Sequence, residues 1–320
     1  MSSERHLSSS DIWVPGQLLD HEYPTATPDE LAVRLGTMVC AKTVGMDAIL
    51  GAVRVPEPHE QIEGIASIDL CEVVRGTVKS MAVAFGREYV GNDYLIGIWG
   101  DSHETVDNDV KQSTICSLAH VLMNNGHVPA VENIDAITTL LRRWRNEENV
   151  FCIANTSTLP GNELATLEFM DGFMPDCFDG IAFPRNHNGR GLTTKAAAVS
   201  EVNAILNTHD QQPHYAVHID DVEHHVATMA THPPLPVTKV FVPLRHYRPD
   251  EMAIDENIGN DDARRIARSL IESADGLTPA TVHSSYMTIG RPVADLPNVV
   301  CADYPLDAFV KMDQFIREMQ

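Results

Sequence analysis

The sequence predicts an α/β protein built on a parallel sheet with helices on both faces. Three observations lead to this. From residue 94 onward, short apolar runs alternate with longer helix-like segments. Most runs are apolar at successive positions, as strands covered on both faces are. The chain has 320 residues, 43% hydrophobic and 21% charged, enough for a sizeable core.

Residues 1–28 are polar and read as an extended arm, after which Thr27-Pro28 opens a helix. The apolar stretches of 29–92 suit helices, so 1–92 is expected to be an arm and a mostly helical region. Residues 93–320 form the α/β core. Its predicted strands are 94–100, 149–155, 178–183, 214–219, 238–244 and 298–302. The helix-like segments between them, such as "NIDAITTLLRRWRNEE" and "KAAAVSEVNAILNT", serve as crossovers. An insertion occupies about 246–296. It holds a helix bounded by Asp261 or Asp262 and Gly276, with Arg264, Arg265 and Arg268 along it. These arginines read as a solvated face, with a phosphate-facing lid as the sharper alternative.

Composition excludes several classes. No apolar run approaches the length of a membrane helix, and the first residues carry no signal-peptide core, so a soluble cytoplasmic protein is expected. A net charge of −22 opposes broad nucleic-acid binding. The six cysteines form no CxxC pair and read as reduced thiols. Fifteen histidines include four in "HYAVHIDDVEHH"; scattered surface or core positions suit them better than a histidine metal site.

In parallel sheets, ligands bind beyond the carboxyl ends of the strands. Polar residues gather at four such places. "YLIGIWG" runs into Asp101-Ser102-His103-Glu104-Thr105. "NVFCIAN" ends in "ANTST", Ala154 to Thr158. "CFDGIAF" is followed by Lys195 at a helix start. "HYAVHI" ends in Asp220-Asp221. In order and interval these stations resemble the four motifs of the haloacid dehalogenase-like superfamily, and Phe178-Asp179-Gly180-Ile181 matches a common form of its third strand. The resemblance covers about 94–245 and 297–320.

The resemblance implies a three-layer phosphatase-type core and magnesium-dependent hydrolysis of phosphate esters. Asp101 would attack phosphorus and carry an aspartyl-phosphate. Mg²⁺ would bridge Asp101, the backbone carbonyl of His103 and Asp220 or Asp221. Thr156 and Lys195 would hold phosphoryl oxygens, with Thr105, Asn155 and Ser157 as further substrate-binding positions. The substrate would be a small molecule or an end-phosphorylated one, and a homo-oligomer is compatible with the sequence.

Two departures qualify this. His103 stands where hydrolases of the superfamily place an aspartate for proton transfer, so it either substitutes or marks an altered reaction. The register of the second station sets Ala154 or Thr156 at the hydroxyl position, and Thr156 is preferred. The alternative to an enzyme is a catalytically altered or inactive relative serving binding or assembly. A hydrolase using the histidines with another metal is a further rival.

Overall fold

The computed structural model describes residues 30, 39–40, 50–77, 123, 128–131, 133–157, 162–184, 194–244 and 291–320. Strands β1 (Val39–Cys40), β2 (Leu50–Arg54) and β3 (Gly64–Ile68) come first. Then follow α1 (Ile134–Glu147), β4 (Val150–Asn155), α2 (Glu163–Phe173), β5 (Gly180–Phe183), α3 (Lys195–Thr208), β6 (Tyr215–Ile219) and α4 (Glu223–Thr231). β7 (Val237–Pro243), α5 (Arg291–Ala294), β8 (Val299–Ala302) and α6 (Pro305–Met319) complete the described elements.

One sheet takes in all eight strands, in the order β1-β2-β5-β4-β3-β6-β7-β8. From β5 to β8 every pair is parallel. β2 runs antiparallel to β5, and β1 to β2. The five strands 149–155, 178–183, 214–219, 238–244 and 298–302 expected from the sequence are therefore present within a residue or two. The strand expected at 94–100 lies outside the described residues, as do the start of the first helix at 27–29 and the arginine-bearing segment of 246–296. The expectation of a mostly helical region before residue 92 needs correction where that region is described. There it supplies β1, β2 and β3, and β3 is the central strand of the sheet. "GIASI" is buried at every position and apolar except at Ser67, a pattern that a helix and a doubly covered strand share; pairing on both sides decides it.

Side-chain alternation builds a three-layer core. Ala66, Ile68, Cys152 and Ala154 face Trp144 and Leu141 of α1 and Phe309 and Met312 of α6. Ile65, Phe151 and Ile153 face Val199, Val202 and Leu206 of α3 and Val226 and Met229 of α4. Among the described residues, no helix is long and apolar enough to cross a membrane.

The chain winds outward from β3 through β4 to β5, then crosses back to β6 on the other side of β3. The carboxyl ends of β3 and β6 thus flank a topological switch point, where an open parallel sheet leaves a crevice. The close packing of β3 on β6 requires a small residue at its start: a Cβ on Gly64 would fall 2.3 Å from Cζ of Tyr215.

The Phe178-Asp179-Gly180-Ile181 stretch has a structural cause. Asp179 is buried, and its Oδ1 accepts from Nε of Arg54 and from Nε of Arg145 at 2.6 Å. Its Oδ2 accepts from the backbone N of Cys152 at 2.9 Å. One carboxylate so ties β2, α1 and β4 together. Gly180 follows because a Cβ there would lie 2.8 Å from the carbonyl oxygen of Ala52 on β2. Asp179→Ala removes the carboxylate that Arg54 and Arg145 share, leaving Arg54 with Glu60 alone, so it is expected to cost about 3 kcal/mol. Urea unfolding checks this, and a midpoint equal to that of the wild type would remove Asp179 from the framework.

Candidate functional site

β3 and β6 each end in an aspartate. Ile68 and Ile219 are register partners, and Asp69 and Asp220 follow them at the same level. The chain is held there by its own backbone: Asp69 N donates to Ile219 O at 3.0 Å, and Asp220 N to Phe241 O at 3.2 Å. Asp221 is the next residue. Carboxylate oxygens of Asp69, Asp220 and Asp221 all lie within 4.8 Å of one another, and all three residues are buried.

Lys195 is the first residue of α3. Thr194 caps that helix, its hydroxyl accepting from Ala197 N at 3.1 Å. The cap fixes where the helix starts and therefore where the ammonium goes. Nζ lies 2.8 Å from Asp69 Oδ1 and 2.6 Å from Asp220 Oδ2, and the residue is only 2% exposed. A single buried cation is shared between two carboxylates.

The two carboxylates respond differently. Burial works against the charge of each. At Asp69 burial wins: despite Lys195, the repulsion of Asp220 and Asp221 helps push its pKa up to about 7. At Asp220 attraction wins over burial. Lys195, then His225 and the hydrogen bond from His218, hold it well below the usual carboxylate range. Val222 N also donates to Asp220 Oδ1 at 2.9 Å. Burial disfavours the charge of Lys195 as well, but Asp220 and Asp69 outweigh it and raise its pKa.

Around this cluster stand Thr156 and Asn155. Thr156 is one residue beyond β4, its N–H bonded to Ala182 O at 3.0 Å. Its hydroxyl is buried and has no hydrogen-bond partner among the described residues. Asn155 turns its amide inward, donating from Nδ2 to Ser67 Oγ at 2.9 Å and to Lys195 O at 3.0 Å. Ser157 is exposed.

Of the residues singled out from the sequence, Lys195, Asp220 and Asp221 come together, with Thr156 at the same sheet edge. Asp101, His103 and Thr105 lie outside the described residues. The sequence reading missed Asp69. The carboxylate that meets Lys195 comes from "GIASIDLCEVV", where Val73 stands four residues after the aspartate. A search for Asp-x-x-x-Thr passes over it. The available signal was a short, largely apolar run ending in Asp.

The histidines of "HYAVHIDDVEHH" do not gather as metal ligands among the described residues. His214 is at the surface, facing Glu63 at 3.8 Å, while His218 is buried with Nε2 3.2 Å from Asp220.

Fold and site together define an α/β protein with a mostly parallel sheet and an acidic, lysine-bridged cluster at its switch point. No protein-family model, curated protein or solved structure matches the chain.

Proposed function

We propose that this protein catalyses divalent-cation-dependent phosphoryl transfer, in the first instance hydrolysis of phosphate esters, with Asp69 as the nucleophile. The observation that carries this reading is the charge and geometry of the cluster. Three buried carboxylates converge, and one ammonium is shared by two of them, Asp69 and Asp220. With all three ionised the cluster is short of two positive charges, which one divalent cation supplies. Hard oxygen ligands suit Mg²⁺. The donor set fits such an ion: Asp69, Asp220 and Asp221 would hold it, and when bound it would neutralise phosphoryl oxygens and return Asp69 to its ionised form.

The chain's own residues supply the rest. Asp69 forms a bond from a carboxylate oxygen to phosphorus as the bond to the leaving oxygen breaks, giving an aspartyl-phosphate and an alkoxide or phenolate that takes any proton it needs from solvent. Water then attacks phosphorus, inorganic phosphate departs and the carboxylate is regenerated. Lys195 offsets negative charge next to the attacking oxygen. Thr156 offers a hydroxyl with no other claim on it among the described residues. The resemblance to haloacid dehalogenase-like hydrolases supports this assignment, with Asp69 in the place first expected of Asp101. The strand order around β3 and the lysine at the start of α3 agree with it.

Cys71 stands two residues after Asp69, where those hydrolases place an aspartate. Its Sγ accepts from Nη2 of Arg75 at 3.1 Å. Without a carboxylic acid there, leaving groups that depart without a proton are favoured. The wild-type protein is expected to hydrolyse para-nitrophenyl phosphate with Mg²⁺ and to stop on chelation. Alkyl phosphates should be slower by about 10²–10⁴-fold, the usual worth of a general acid. Assays over a phosphate panel with Mg²⁺, and with EDTA, measure both. Absence of turnover across the panel would sink the reading.

A further inference from the structure

Polar side chains cross the centre of the sheet just before the acidic cluster. Ser67 on β3 and His218 on β6 each lie two residues before an aspartate of the site, and they are register partners. Asn155, the last residue of β4 and level with Asp69, joins them through its side chain. All three are at most 1% exposed, among strands that are otherwise apolar on both faces.

The donors can be counted. Asn155 Nδ2 donates to Ser67 Oγ at 2.9 Å. Ser67 keeps its own hydroxyl proton for Nδ1 of His218, also at 2.9 Å. An imidazole that accepts at Nδ1 carries its proton on Nε2, and Nε2 lies 3.2 Å from Asp220 Oδ2. Every donor points the same way, and the row ends on a carboxylate. The other neutral tautomer would donate from Nδ1 to Ser67 O, 3.1 Å away, and set a bare Nε2 against the charged oxygen. A hydrogen bond to an ionised acceptor is the stronger of the two, so the Nε2–H form prevails. Asn155 has a second tie, from Nδ2 to Lys195 O at 3.0 Å. The row therefore reaches the backbone that carries the ammonium as well as the carboxylate that receives it.

Burying three polar side chains here costs free energy that apolar residues would not. We infer that His218 is a positioning residue: through Ser67 and Asn155 it locks the orientation of Asp220 relative to Lys195, and so sets the affinity of the site for a divalent cation. Ligands held by an outer hydrogen bond keep their orientation, and losing such a bond typically costs about 10–100-fold in metal affinity. This inference rests on the reading that Asp69, Asp220 and Asp221 bind a cation.

The test is Mn²⁺ titration of the full chain, followed by electron paramagnetic resonance, with circular dichroism to verify folding. His218→Leu should bind Mn²⁺ about 10–100-fold more weakly. His218→Gln, whose Nε2 can still donate to Asp220, should recover most of the affinity. Folded His218→Leu with wild-type affinity would overturn the inference, as would a glutamine variant no better than leucine. Should His218→Leu not fold, Ser67→Ala decides. Weakened Mn²⁺ binding supports the row, and unchanged binding overturns it. A wild-type chain that binds no Mn²⁺ overturns the cation reading and this inference together. That outcome is distinguishable because the wild-type titration itself is flat.

Discussion

Asp69→Asn is expected to abolish phosphate-ester turnover while making the metal-free protein more stable at pH 8. The two effects have one origin. An amide cannot attack phosphorus, so chemistry through Asp69 ends. The wild-type carboxylate is also buried beside two others, which pushes its pKa up to about 7. An aspartate in an unfolded chain titrates near pH ~3.9. For an acid, this direction means that the folded state binds the proton more tightly than the unfolded state. Asp69 therefore favours folding below about pH 4 and withdraws that support as pH rises through about 7. Every tenfold difference in proton affinity between the two states is worth about 1.4 kcal/mol. The asparagine variant lacks this slope and should gain roughly 2–4 kcal/mol on the wild type between pH 5 and pH 8. Asp220 does not mask the effect, because its pKa is lowered and its contribution changes only below about pH 4. Urea unfolding of both proteins in EDTA at the two pH values measures the difference. Parallel pH profiles would show that Asp69 is not the strained member of the cluster. Retained turnover would remove it as nucleophile.

Lys195→Met should have the largest effect on stability, with the opposite sign. The methionine approximates the volume of the lysine stem but leaves Asp69 and Asp220 buried without their shared ammonium, beside the third carboxylate of Asp221. Removing one partner of a buried pair typically costs about 3–5 kcal/mol, because the remaining charge stays uncompensated. The loss should be greatest at pH 8. It should shrink toward pH 5, where Asp69 can take up a proton instead. Saturating Mg²⁺ should restore part of the stability, since a cation bound only by the folded state stabilises it by mass action. Turnover should be lost even in Mg²⁺, because the positive charge beside the attacking carboxylate is gone. Thermal melts at both pH values, with and without Mg²⁺, measure the first three expectations. A variant melting with the wild type at pH 8 would mean that Lys195 does not hold the cluster together.

What the sequence determined by itself was local. Apolar runs of five to seven residues between amphipathic segments specify strands and crossovers, because a doubly covered strand has few polar positions to offer. Lys195 and Asp220-Asp221 were legible because each follows a strong strand or opens a helix. β3 was not legible in the same way. "GIASI" is short and small, and nothing local separates a strand from a helix in that stretch. Its identity is fixed by Val150–Ala154 on one side and Tyr215–Ile219 on the other. Asp69 was hidden with it, since a carboxylate acquires chemical meaning only from what it meets. Asp69 meets Lys195, 126 positions away in sequence, at 2.8 Å. The role of His218 was likewise undetermined. In sequence it is one histidine among fifteen, and only strand pairing sets it between Ser67 and Asp220. Periodicity records which face of an element is covered; long-range pairing alone decides which charges share a buried site.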